Sequence, residues 1–226
     1  MRKAYFTIGE IALFAGSELA ILVTYWLWGD GELLSLIASL IGVASLILNA
    51  KGNPGGQALM LVFSVLYGII SYTFSYYGEM ITYLGMTAPM AAAALIAWLR
   101  NPYKGNKAQV AVNRISRRES ALMLLASLPV TMVFYVILKA FHTTNLLPST
   151  LSVTTSFIAA YLTFRRSPYF ALAYAANDLV LIVLWTLAAL ANSTYVTVIV
   201  CFMVFFINDL YGFYSWQRMQ QRQEES

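Results

Sequence analysis

The chain has 226 residues, 60% of them hydrophobic and only 11% charged, with a mean hydropathy of +0.68. That is too little polar surface to coat a soluble domain of this size, so a water-soluble enzyme is excluded. One cysteine, Cys201, and one histidine, His142, exclude an internal disulfide and the usual zinc sets, and the formal charge of +4 turns on which loops hold the Lys and Arg.

Apolar stretches fall at residues 9–28, 33–50, 58–77, 80–98, 120–138, 147–164, 168–191 and 194–213. At about 20 residues per crossing they predict an all-α integral membrane unit with at most about eight spans. Gly9, Gly16, Ser17 and Glu18 interrupt the first stretch, which is expected either to span or to lie in the interface. Its apolar run is too long for a signal-peptide core, so it is expected to be retained. Pro89 and Pro129 fall inside spans and are expected to bend them.

Basic residues occupy alternate loops: Arg2 and Lys3, Lys51, the run from Arg100 to Arg118, Arg165 with Arg166, and Arg218 with Arg222. Asp30, Glu32 and Glu79 fall in the opposite loops, and Lys139 is the one basic exception. By the positive-inside rule the basic loops face the cytoplasm, which puts the C-terminus there and, if residues 9–28 span, the N-terminus too. The Arg100–Arg118 run reads as a solvated loop that fixes topology, with no nucleic-acid partner implied.

An internal repeat is visible. A shift of 114 places Ser35 on Ser149, Gly42 on Ser156, Asn49 on Thr163, Lys51 on Arg165 and Pro54 on Pro168, and with a short gap Trp98 matches Trp216. Two three-helix units follow, residues 31–100 and 143–218, joined by a basic loop and connector helix at 101–142, with an N-terminal helix at 1–30 and a tail at 219–226. The odd connector makes the second triplet parallel to the first. Glu10 and Glu119 open similar runs, which makes the first stretch a counterpart of the connector.

Charged groups inside spans cost about 2.5–3.5 kcal/mol each on insertion scales and mark function. Three lie well inside: Glu18, Asp178 and Asp209. At helical spacing Tyr174, Asn177 and Trp185 share or border the side of Asp178, and Asn208 and Asp209 repeat the amide-carboxylate pair on the last helix. Such groups suit a ligand with hydroxyls and a flat ring, a nucleoside above all, although a sugar would also fit and interhelical hydrogen-bond glue is the bland alternative. Ser64, Tyr67, Ser71 and Ser75 on one helix, and Tyr83, Thr87 and Met90 on the next, are candidates for the opposite wall. No cofactor or metal is expected.

Several segments resemble the PnuC-type vitamin transporters. Leu48-Asn49-Ala50-Lys51-Gly52 is similar to that family's Leu-x-x-Lys-Gly exit from the first core helix. Leu66-Tyr67-Gly68-Ile69-Ile70-Ser71-Tyr72, with Tyr77-Gly78-Glu79-Met80, resembles its second helix and outer loop. Tyr211-Gly212-Phe213-Tyr214-Ser215-Trp216 resembles its C-terminal signature.

The resemblance implies a three-plus-one-plus-three fold related to the SWEET sugar carriers, a bacterial inner membrane and a homotrimer. It further implies facilitated diffusion of nicotinamide riboside, thiamine, riboflavin or deoxynucleosides, trapped by a cytoplasmic kinase. The Trp-x-x-Trp that usually precedes an Asn on the sixth core helix of nicotinamide-riboside members is absent from Pro168 to Asp178. Nicotinamide riboside still leads, by its frequency in the family, with a deoxyribonucleoside close behind. A proton-coupled carrier, an intramembrane aspartyl protease using Asp178 and Asp209, and a structural membrane subunit are the remaining alternatives.

Overall fold

The computed structural model describes residues 5–29, 33–73, 76–143, 145–190 and 193–225. The chain runs through α1 (Ile8–Trp28), α2 (Leu33–Ala50), α3 (Pro54–Thr73), α4 (Tyr77–Thr82), a π-helical turn (Tyr83–Thr87), α5 (Ala88–Leu99), β1 (Pro102–Tyr103) and β2 (Asn106–Val110). It continues through α6 (Arg117–Ala140), α7 (Leu146–Phe164), α8 (Tyr169–Ala189), a short 3₁₀ turn (Ser193–Tyr195) and α9 (Val196–Glu224). Among the described residues, eight helical segments are long and apolar enough to cross a membrane, α4 to α5 counting as one. The first stretch is one of them: α1 is an unbroken helix of 21 residues.

Contacts between elements close six of these segments into a ring. α2 packs on α3, α3 on α5, α5 on α7, α7 on α8, α8 on α9, and α9 back on α2. α1 lies outside against α2 and α9, and α6 lies outside against α7. The lipid-facing sides stay apolar, as the exposed Leu22, Trp26, Leu125, Val133 and Val183 show.

Local chemistry sets the helix ends. Thr7 and Glu10 form a capping box at the start of α1, and the Ser116 hydroxyl accepts from the Glu119 N–H at the start of α6. α2 and α7 end alike. Gly52 and Arg166 take left-handed φ of 67° and 57°, the Asn53 and Ser167 amides reach back to the Leu48 and Leu162 carbonyls, and the Gly52 and Arg166 amides donate to the Asn49 and Thr163 carbonyls. These are paired Schellman motifs, each followed by a proline, Pro54 or Pro168, that opens the next helix.

The two halves are laced together at this end. Trp98 Nε1 donates to the Thr163 carbonyl at 2.9 Å, and Trp216 Nε1 donates to the Asn49 carbonyl at 2.7 Å. Both indoles are fully buried, with ring centroids 5.3 Å apart. Lys51 pairs with Glu10 at 2.9 Å, and Arg165 pairs with Glu119. Tyr211 and Tyr161 donate their hydroxyls to the same two carboxylates.

Two sequence expectations need correction. The Arg100–Arg118 run is not simply a solvated loop: Lys104 and Gly105, both at positive φ, turn β1 into β2, and Val110 is fully buried. Its backbone ties the ring's basic end together, since the Val110 N–H donates to the Gly52 carbonyl and the Asn113 N–H to the Arg166 carbonyl. Glu79 is not in a loop either but buried on α4. Ser75, Asp30 and Glu32 lie outside the described residues, as do Arg2 and Lys3.

Candidate functional site

Polar side chains gather inside the ring, about midway along it. Tyr174, Asn177 and Asp178 recur at spacings of three and four on α8, and that periodicity turns all of them inward. The Asn177 carbonyl oxygen accepts from the hydroxyls of Thr155 at 2.7 Å and Ser156 at 3.1 Å on α7. With its oxygen occupied, the amide presents its NH₂ as the group free to donate to a ligand. Asp178 is 4% exposed, and its Oδ2 has no hydrogen-bond partner. Asp209, buried on α9, lines the same cavity. Among the described residues no salt bridge involves either one.

The facing wall comes from the π-helical turn. Its wider coil brings Tyr83, Met86 and Thr87 into the buried interior, and the Thr87 hydroxyl reaches back five residues to the Thr82 carbonyl at 3.4 Å. Pro89 follows this turn by one residue, so its missing N–H falls where the helix returns from π to α pitch. The helix thus changes pitch next to the proline expected to bend it.

Aromatic rings complete the cavity. Phe63, Phe202 and Phe205 line it with Tyr83, Thr87, Ser156, Tyr174, Asn177, Asp178 and Asp209. Gly42 seats Phe205: a Cβ there would stand 2.4 Å from the ring, so only glycine lets the phenyl group lie against α2. The cavity has about 30 Å³ of room, enough for one or two waters. A nucleoside enters only if side chains turn or the helices part.

Other sequence-predicted residues lie elsewhere. Tyr67 packs on Tyr83 with ring centroids 4.4 Å apart and borders a second cavity toward the end remote from the basic loops. Trp185 is buried beyond it, against Tyr76 and Tyr195 at 5.0 and 5.3 Å, with its indole N–H unpartnered. Ser64 is fully buried and donates to its own helix at Met60 O. Asn208 turns away from the centre and donates to Ser17 of α1 at 2.8 Å and to Val204 O. Glu18 sits on α1, outside the ring. Sequence reasoning did not single out Phe63 or Phe202, whose aromatic character alone could not separate lining from packing, nor Glu79.

A sequence profile of the nicotinamide mononucleotide transporter family matches residues 32–218. A curated relative, the nicotinamide riboside transporter PnuC of Neisseria mucosa, is 24% identical over 218 residues, covering 94% of this chain and 81% of the relative. A crystal structure of the vitamin B3 transporter PnuC has the same fold, with a TM-score of 0.84 at 22% identity over 96% of this chain and 94% of that one. With more than four-fifths of its length inside that profile, the chain belongs to the nicotinamide mononucleotide transporter family, the PnuC-type carriers its segments resemble.

Proposed function

We propose that this protein carries nicotinamide riboside across a bacterial inner membrane by facilitated diffusion, binding it in the central cavity of the helix ring. The observation that carries the reading is the pairing of buried carboxylates with aromatic rings in a cavity with no basic side chain among its described lining residues. Nicotinamide riboside is a flat pyridinium cation on a ribose. Its ring suits Tyr83, Tyr174 and Phe205, its charge suits Asp178, and its hydroxyls suit Asp178, Asp209 and the Asn177 amide. A nucleotide's phosphate would instead face Asp178 and Asp209 with nothing to neutralise it. That disfavours the mononucleotide and favours the riboside named for the Neisseria relative.

The ring is read as two parallel three-helix units, with α6 as connector and α1 as its counterpart. Supporting this are the exchanged Trp98 and Trp216 hydrogen bonds, the matched Schellman ends at Gly52 and Arg166, and the Lys51–Glu10 and Arg165–Glu119 pairs. Each of these relates positions that the 114-residue repeat aligns or that open α1 and α6. In this reading the basic end and the C-terminus face the cytoplasm, the two units rock about Asp178, and a kinase traps what arrives inside.

The test is uptake of labelled nicotinamide riboside into liposomes holding the purified protein. Saturable uptake, inhibited by excess unlabelled riboside more strongly than by thymidine, is expected. Stronger inhibition by thymidine would move the substrate to the deoxyribonucleosides, and no saturable uptake of either would reject the carrier.

A second reading has one observation behind it. Asp178 and Asp209 line the same buried cavity, with no salt bridge to either among the described residues, so a protonation step could be coupled to substrate movement. Uptake that does not respond to an imposed pH gradient is expected for the uniporter. Accumulation driven by that gradient would establish coupling.

A further inference from the structure

A third buried carboxylate lies on α4, one helical turn from the cavity-lining Tyr83 and nearer the end remote from the basic loops. Glu79 is 2% exposed, and its Oε2 has no hydrogen-bond partner. Tyr76, three residues before it, and Tyr83, four after it and bonded through its N–H to the Glu79 carbonyl, share its side of the helix; Tyr83 lines the central cavity and packs on Tyr67, and Tyr76 packs on Trp185 at 5.0 Å. Beyond Tyr67 lies Trp185, edge-on with ring centroids 6.5 Å apart, its N–H likewise unpartnered. Among the described residues no Lys, Arg or His is paired with Glu79.

The other buried glutamate shows what a structural role looks like here. Glu10 is 3% exposed and fully engaged, by Lys51, Tyr211 and the Thr7 amide. Glu79 has no such set. A buried carboxylate is kept neutral or is paired, and where the protein supplies no cation a passing ligand can. Asp178 and Asp209 at the centre continue the same sign, so the interior is acidic from its remote end to its middle.

We propose that Glu79 is a specificity-determining residue that selects the positive charge of the substrate ring on the path between the remote end and the central cavity, with Tyr67, Tyr83 and Trp185 as its aromatic walls. The proposal rests on the nicotinamide-riboside reading. Charge selection then has two stages: Glu79 discriminates on the path, and Asp178 holds the cation once it reaches the centre.

The experiment compares nicotinamide riboside with its 1,4-dihydro form, which keeps the shape and hydroxyls but carries no ring charge. Each unlabelled form competes against labelled nicotinamide riboside for uptake by wild-type protein, Glu79→Gln and Glu79→Asp in liposomes, with melting temperatures measured to confirm folding. Glu79→Gln is expected to shrink the preference for the cation over the neutral form by roughly tenfold, because a buried charge has lost its partner. Glu79→Asp, which keeps the charge, is expected to retain most of that preference. An unchanged preference in Glu79→Gln overturns the assignment, including the case in which both forms weaken by the same factor. Wild-type protein that takes up no nicotinamide riboside rejects the underlying substrate reading instead. Should Glu79→Gln not fold, Glu79→Asp with a preference lowered as far as an uncharged site would give also counts against the proposal.

Discussion

Asp178→Ala is expected to raise the half-saturating nicotinamide riboside concentration roughly a hundredfold, about 3 kcal/mol at 1.4 kcal/mol per tenfold. The magnitude follows from burial. Asp178 is nearly inaccessible, holds one unpartnered oxygen and lines the central cavity with Asp209, so its removal takes away both the counter-charge for the ring and an acceptor for the ribose. Asp178→Asn should fall between the two, since an amide keeps one acceptor but not the charge. Initial uptake rates over a range of concentrations, at matched protein incorporation, give the answer. An Asp178→Ala protein within twofold of wild type would remove this residue from the site.

The second large effect falls on stability. Trp98→Ala or Trp216→Ala should each cost about 3–5 kcal/mol, because both indoles are fully buried and a cavity of that size does not collapse. The milder Trp→Phe exchange isolates the hydrogen bond. Each accepting carbonyl, Asn49 or Thr163, also receives a Schellman amide, from Gly52 or Arg166, so it is not orphaned and the loss should be near 1 kcal/mol. The rings touch, with centroids 5.3 Å apart, so Trp98→Phe and Trp216→Phe together should depart measurably from the sum of the single changes. Melting temperatures of the four proteins in one detergent measure this. Strict additivity would mean that the contact between the two rings contributes nothing beyond the separate hydrogen bonds.

Much of this arrangement is legible in the sequence for a simple reason. Lipid leaves a spanning backbone only helix or closed barrel, and apolar runs near 20 residues long select helix, so the eight segments follow from apolar length. The face of α8 is legible too, since Tyr174, Asn177 and Asp178 share a side at any regular pitch. What is lost are local departures from that pitch and the rotational setting of each helix. The π-helical turn at Tyr83–Thr87 is one such departure, and no residue type marks it, so regular helical spacing does not fix which side Tyr83 and Thr87 face.

Asn208 and Asp209 illustrate the rotational problem. Adjacent residues on a helix point about 100° apart. Here Asp209 borders the central cavity while Asn208 bonds Ser17 of α1, outside the ring. Glu79 was hidden by a different rule, because an acidic residue next to a Gly and near a predicted boundary reads as loop. α4 begins two residues before it and carries it inward.

The most direct measurement is calorimetric titration of nicotinamide riboside into the purified protein and into its Asn177→Ala variant. Asn177 is fixed by Thr155 and Ser156, so its removal subtracts a positioned donor from the central cavity without touching any of the three carboxylates. Saturable binding to wild type, weakened about tenfold in Asn177→Ala by loss of one buried hydrogen bond, is the expected result. Undiminished binding to a stably folded Asn177→Ala protein, or no binding to wild type, would contradict a substrate site at the centre of the ring.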